Sequence, residues 1–363
     1  MKTYAAIYKD NEIRENSSSG GVFSALAKKF DVVYGAAMTD DCYRAEIIRA
    51  ENDVSRLRGS KYFQVKIGDT FQQVKKDLKE GRKVLFSGTG CQINGLAMFL
   101  RKEYENLFLL DIICHGTPSP KLWKEYALYQ EKKHGKLESV NFRCKDDSFI
   151  DFGIKKKKLY ISKDKDSFMR MFLRNYCLRP ACYECHAKHY KKADMTIADF
   201  WGVENIVPEM NDGRGTSLVI TRTDKGQVLF DEIKKELKWK EVSYEEGIKR
   251  NPSEYKSVFR PQQRDTFFVD LDRLPFEEME KKYAADIKVS FRRSVVSKIK
   301  RIIKQILKWK LLKNVPMQTM ASSSHLKSNS DYGMLFTFKK KSDITSPTKR
   351  TEGNNLPYMK IKR

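Results

Sequence analysis

Residues 83–116, KVLFSGTGCQINGLAMFLRKEYENLFLLDIICHG, decide the fold. KVLFSG is a short apolar run that stops at glycine, and NLFLLDIIC is a second continuous apolar run. INGLAMFLRKEY between them reads as a helix. Apolar strands alternating with helices of this length argue for α/β architecture, a largely parallel sheet covered by helices on both faces. Cys91 follows the first strand and Cys114 ends the second. Strands joined by one crossover helix are usually neighbours, ~4.8 Å apart, so both cysteines are expected at the same carboxyl edge of the sheet. Ligands of open α/β sheets bind at that edge.

Upstream, KTYAAIYK alternates as a strand, NSSSGGVFSALAKKF reads as a helix with Ser at its N-cap, and DVVYGAAM is the next strand. TFQQVKKDLKEG and PKLWKEYALYQEKK are further helices. After residue 135 the texture changes: ESVNFRCK, FIDFGIKK and KLYISK suit an antiparallel meander, MTIADFWG and TSLVITRT two more strands, and DKGQVLFDEIKKELK a capped helix. The expected organisation is an α/β part over residues 1–135, a mixed α/β part over 136–285, a basic amphipathic helix over 286–315 and a disordered tail over 316–363.

The chain has 363 residues, 40% hydrophobic and 12% aromatic, a globular composition. It opens without the pattern of a signal peptide and contains no apolar run long enough for a membrane span, which together predict a cytoplasmic protein. Its charge of +24 is concentrated at the C-terminal end, where Lys288 to Lys313 hold ten Lys or Arg and no acid. In SVVSKIKRIIKQILKWKLL the residues Val295, Ile299, Ile302, Ile303, Ile306 and Trp309 fall on one helical face, with Lys298, Arg301, Lys304 and Lys308 opposite. The expectation is that residues 290–313 contact an anionic membrane surface and make the protein peripheral at its inner face. A helix docked on the protein's own core is the alternative. No nucleic acid partner is expected, since this helix offers few polar side chains for base edges.

Seven cysteines in a chain read as intracellular are not a disulfide framework. Cys182 and Cys185, in RPACYECHAKH, present two thiolates from one turn, and with Cys91 and Cys114 they make four sulfurs available for a tetrahedral set. Such a set holds an iron–sulfur cubane or a zinc ion, and His186 and His189 offer themselves to zinc. The spacing also allows no metal at all. Cys42, Cys144 and Cys177 read as small buried hydrophobes, with Cys177 a reserve ligand.

Three loops in the first hundred residues could cradle a cofactor. Ser17, Ser18, Ser19, Gly20 and Gly21 combine hydroxyls and glycines at a helix start, a candidate anion site. Ser60, Lys61 and Tyr62 put a cation and an aromatic in the GSKYFQ loop, and Thr89 and Gln92 flank Cys91 in SGTGCQ. Together they favour a phosphate-bearing cofactor, although each also reads as an ordinary turn. Asp199, in ADFWG, suits a cofactor hydroxyl or flavin nitrogen, or the capping of its own turn.

SSSGGVFSALA, GSKYFQV, VLFSGTGCQINGL, DIICHGTPSPKLW, RPACYECHAKH and ADMTIADFWGV with GTSLVI stand here in the order found in the coenzyme F-420 hydrogenase/dehydrogenase beta-subunit family. The chain resembles that family over residues 1 to about 275. The resemblance implies a flavin and iron–sulfur oxidoreductase, with Cys91, Cys114, Cys182 and Cys185 as ligands of a [4Fe–4S] cluster. It also implies FAD or another flavin at the Ser17–Gly21 and Gly59–Tyr62 loops. Many members carry an N-terminal ferredoxin-like module, whereas this chain begins at the flavin-type part, which implies a separate ferredoxin-like electron donor. Gly90 stands where relatives usually show Pro, a change expected to loosen the loop. Relatives without a hydrogenase role often belong to cell-surface polysaccharide metabolism. The rival from another class is a zinc-stapled, membrane-recruited binding protein without catalysis.

Overall fold

A computed structural model describes residues 1–143, 150–154, 157–162 and 164–285. The amphipathic segment 286–315, with the membrane contact expected of 290–313, lies outside the described residues, as do the tail 316–363 and Cys144. The described residues belong to one compact unit, Met1–Ile287. No helix among them is long and apolar enough to cross a membrane.

Among the described residues, eleven strands follow in chain order: β1 (Lys2–Tyr8), β2 (Val32–Met38), β3 (Ala45–Ala50), β4 (Val84–Thr89), β5 (Leu107–Ile112), β6 (Leu137–Phe142), β7 (Ile150–Ile154), β8 (Lys157–Ile161), β9 (Met195–Asp199), β10 (Ser217–Thr221) and β11 (Leu237–Val242). Eight form one sheet in the order β11-β1-β10-β9-β5-β4-β2-β3, and β6, β7 and β8 form an antiparallel meander. The expected α/β class holds. Its parallel run is the central set β2, β4, β5 and β9, and antiparallel strands flank it on both sides.

The apolar runs of β4 and β5 are continuous because both faces of the central sheet are covered. Leu85, Phe108 and Leu110 join Val22, Leu26 and Phe230 in one core layer. Val84, Phe86, Leu107 and Leu109 join Val74, Ile93 and Leu96 in the other. Alternation along each strand thus sends neighbouring residues to opposite cores. A third, aromatic core gathers Trp123, Tyr126, Phe142, Phe152, Phe168 and Phe267. Cys42 belongs to it, as a small buried residue whose carbonyl accepts from Trp123 Nε1 at 2.9 Å.

β9, β10 and β11, from the part expected to begin at residue 136, return to the sheet begun by β1 to β5, with β10 paired between β1 and β9. The chain signals each strand locally, while the return across more than a hundred residues depends on which edges remain unpaired. The helix expected over NSSSGGVFSALAKKF is shorter. Helices form at Asn11–Glu15 and Val22–Ala27, and Gly21, with φ of 83°, caps the second in place of a serine. The serines are held elsewhere, with Ser17 Oγ donating to the Ile13 carbonyl at 2.7 Å and Ser19 Oγ to the Thr216 carbonyl at 3.0 Å.

Arg14, 2% exposed, fastens this loop to the linker before β10. Its guanidinium donates to both Asp212 carboxylate oxygens, at 2.7 and 2.6 Å, and to the Gly215 carbonyl at 2.7 Å. That bond holds the Asp212 carboxyl far below the usual carboxylate range. A folded pKa below the unfolded one contributes stability above the unfolded value, near ~4, and loses it as pH falls through the folded value. Asp212→Asn should therefore cost about 2 kcal/mol at neutral pH, less than a fully buried pair would because Asp212 keeps 41% exposure. The difference from wild type should shrink in acid, as denaturant melts at pH 7 and pH 3 would report.

A candidate cysteine cluster site at the carboxyl edge of the sheet

β1 and β9 each pair antiparallel with β10, so they run the same way, and β9 runs parallel to β5, β4 and β2. The loops after β1, β4, β5 and β9 therefore leave from one edge of the sheet. They carry the serine loop, Cys91, Cys114 and Asp199 respectively, which is the arrangement that makes such an edge a binding crevice.

Cys91 lies in the first turn of the helix Gly90–Leu100, its sulfur 3.2 Å from Thr89 Oγ1. Cys114 follows β5, and Cys182 and Cys185 come from the turns Pro180–Cys182 and the start of His186–Lys188. Burial pushes the Cys114 thiol up to about 12, Lys188 opposes this, and negative charge on Cys91 and Cys182 adds to it. Cys182 is raised first by burial and then by Cys185 and Cys91, while the Thr117 N–H donates to its sulfur at 3.3 Å and opposes the rise. Cys91, Cys114 and Cys182 are thus within electrostatic reach of one another, and Cys185 is within reach of Cys182. Among the described residues, no three His, Cys, Asp or Glu side chains are arranged to hold a metal ion. His186 and His189 are exposed. Cys177 is fully buried, its thiol raised by burial, in the aromatic core.

Close packing fixes these loops. A Cβ on Gly90 would stand 3.2 Å from Ala187 Cβ and 3.3 Å from Asp111 Oδ2, so this glycine seats the Cys91 turn against the Cys182–Cys185 segment. Thr89 and Gln92 are joined in a cap, with Gln92 Oε1 accepting from the Thr89 N–H at 2.9 Å and its hydroxyl at 3.1 Å. Both therefore shape the Cys91 turn in this structure.

The serine loop meets the second loop directly. Ser18 Oγ accepts from the Ser60 N–H at 2.9 Å and lies 3.0 Å from the Ser60 hydroxyl. Gly20 is pressed against the sheet, its N–H donating to Ser217 Oγ at 3.0 Å and its carbonyl accepting from the Tyr8 N–H at 2.7 Å. The Gly20 N–H is thus satisfied within the chain in this structure. Lys61 Nζ turns back onto the carbonyls of Arg56, Arg58 and Gly59, at 3.2, 2.7 and 3.2 Å. Burial, with a smaller contribution from Arg56, pushes its pKa down to about 7.

Tyr62 connects the two halves of the edge. Burial raises its pKa to about 12, the Asp199 charge adds to this, Arg143 opposes it and Cys114 contributes. Asp199 pairs with Arg143 at 3.1 Å, and that guanidinium lies 4.6 Å from the centre of the half-exposed Trp201 ring. Arg143 has a φ of 65°, a left-handed conformation costly for a non-glycine residue and often kept at functional sites.

Sequence reasoning missed Arg143 and Lys188. Arg143 sits at the end of a meander strand, with no motif around it. Lys188 lies in HAKHYKK beside the Cys-x-x-Cys pair, and a basic run next to four thiolates is the signal that pointed to it.

A chain in a structure described as xenon derivatization of the F420-reducing [NiFe] hydrogenase complex from Methanosarcina barkeri is similar, with 15% identity over 77% of this chain and 90% of that chain and a TM-score of 0.46. No curated protein matches the chain. The family model for the C terminus of the coenzyme F420 hydrogenase/dehydrogenase beta subunit matches residues 81–246, a span that includes all four cysteines of the edge and Asp199. Over that span the chain is similar to the C terminus of coenzyme F420 hydrogenase/dehydrogenase beta subunits.

Proposed function

We propose that this chain is an iron–sulfur flavoprotein oxidoreductase in which Cys91, Cys114, Cys182 and Cys185 hold a [4Fe–4S] cluster. The observation that carries the reading is the placement of the Cys91 and Cys114 loops at one sheet edge with the Cys182–Cys185 segment packed against the Cys91 turn, Cys91, Cys114 and Cys182 lying within electrostatic reach of one another and Cys185 of Cys182. Zinc at about 2.3 Å from each sulfur needs its ligands converging on one point. Four thiolates are also the ligand set of a cubane, whose irons each take one sulfur. His186 and His189, the nitrogen ligands a zinc site could take here, are exposed.

Ser18, Ser60, Tyr62, Arg143 and Asp199 would hold the flavin, FAD or another, beside the cysteines. When bound, the cluster supplies one-electron transfer and the flavin converts single electrons into a two-electron step. The chain's own residues set the conditions. Ser18 and Ser60 tie the two loops together, and Tyr62 keeps a neutral phenol between Asp199 and Cys114 throughout the physiological pH range. The Arg143–Asp199 pair places a cation and a carboxylate next to that phenol. Electrons would come from a separate ferredoxin-like donor. An acceptor in cell-surface polysaccharide metabolism is proposed from the motif resemblance alone.

Anaerobic titration with dithionite, followed by visible absorption and electron paramagnetic resonance, tests the reading. A paramagnetic cluster signal after uptake of one electron, with a separate bleaching of flavin absorption, is the expected result. A chain without visible absorption or signal would overturn it.

A further inference from the structure

A groove of about 530 Å³ lies between the helices Thr70–Lys79 and Gly90–Leu100, lined by Gln72, Lys75, Lys76, Lys79, Glu80 and Phe99. Its place in the fold sets it apart from the cysteine loops. Gly90–Leu100 starts at the carboxyl end of β4 and runs back along the sheet, so Phe99, in its last turn, stands toward the opposite, amino edge. Asn106, just before β5, donates to the carbonyls of Leu78 and Arg82 at 3.1 and 2.7 Å, which ties the end of Thr70–Lys79 to that same edge. The walls are basic and partly aromatic. Lys75 and Lys79 are four residues apart on one helix face, where like charges repel and lower helix stability. Among the described residues neither pairs with a carboxylate, and Lys76 reaches Glu80 only at 4.0 Å. The groove thus sets three lysines against one carboxylate. Phe99 is 38% exposed, packs on Phe71 with ring centres 5.9 Å apart, and has Lys75 Nζ 5.5 Å from its own centre.

From these walls we propose that the groove binds a nucleotide, with Lys75, Lys76 and Lys79 taking its phosphates and the open part of the Phe99 ring taking its base. Lysine serves phosphate as a mobile point charge, and a base stacks on any accessible aromatic face. The volume falls within the ~300–1,000 Å³ of small-molecule pockets. Inorganic polyphosphate would satisfy the lysines equally, so the ring is what assigns a nucleotide. Glu80 opposes the phosphates, and its approach to Lys76 offsets it in part. The helix Gly90–Leu100, ~15 Å long at 1.5 Å per residue, separates this groove from the Cys91 turn. The proposal therefore stands whether or not the carboxyl edge holds a cluster or a flavin.

The test is isothermal titration of the full chain with ATP and, separately, with inorganic tripolyphosphate. ATP should bind saturably and about tenfold more tightly than tripolyphosphate, the difference being the stacked base. Combining Lys75→Gln with Lys79→Gln should weaken both ligands by about tenfold or more, because charge-assisted contacts to phosphate are lost. Phe99→Ala should weaken ATP and leave tripolyphosphate unchanged, and Glu80→Gln should tighten both. The ten basic residues from Lys288 to Lys313 also attract polyanions, and binding there would ignore all the groove variants. ATP binding unchanged by the paired lysine variant overturns the proposal, as does the lack of saturable binding up to about 1 mM. Equal affinity for the two ligands, unaltered in Phe99→Ala, overturns the assignment of a nucleotide. If Phe99→Ala does not fold, the paired lysine variant and the ratio of the two wild-type affinities decide.

Discussion

Cys182→Ser and Cys185→Ser are each expected to lower bound iron by about tenfold or more from the roughly four irons of one cubane, because a cluster iron without its thiolate is labile. Cys42→Ser should keep wild-type iron. The contrast follows from where the sulfurs stand. Cys182 and Cys185 are partly exposed turn residues, electrostatic neighbours of each other and, through Cys182, of Cys91. Cys42 is buried in the aromatic core, its backbone held by Trp123 and its thiol raised to about 11, first by burial and then by Asp41. Iron per folded chain in the three variants is the measurement. Equal iron in all three would remove the Cys-x-x-Cys pair from the site.

Gly20→Val is expected to destabilise the whole fold by about 3 kcal/mol or more, as overpacking against immovable backbone does. A Cβ at this position would lie 2.4 Å from the Ala6 carbonyl oxygen, 2.7 Å from the Ser217 nitrogen and 2.9 Å from Ser217 Oγ. Two of those atoms are backbone of β1 and β10, adjacent strands of the sheet, and cannot rotate away. Gly59→Ala is the control in the second loop. Nothing lies within 4 Å of its Cβ position, so only its left-handed φ of 79° opposes the change, at a cost of about 1 kcal/mol. Denaturant midpoints of the two variants should differ accordingly. Similar, small losses would mean that the serine loop is not clamped to the sheet.

Much of the site's framework was legible in residues 83–116, because an apolar strand, a helix and a second apolar strand dictate neighbouring parallel strands. β4 and β5 pair as parallel neighbours from Val84↔Leu107 to Thr89↔Ile112, which sets the starts of both cysteine loops on one edge. The Cys-x-x-Cys segment was legible as chemistry but not as position. Its approach to Cys91 depends on Gly90 meeting Ala187, a contact between residues far apart in the chain. The serines misled for a local reason. Their composition suits an N-cap, yet Ser17 and Ser19 satisfy carbonyls of Ile13 and Thr216 instead, and a left-handed Gly21 begins the helix. Lys188 was missed because buried charge reads as surface until its partners are known.

The most direct test of the account is the metal, sulfide and flavin content of the chain purified without oxygen. The account predicts iron and acid-labile sulfide in equal amounts, about four of each per chain, with flavin and without stoichiometric zinc. A colourless chain carrying one zinc and no labile sulfide would contradict it.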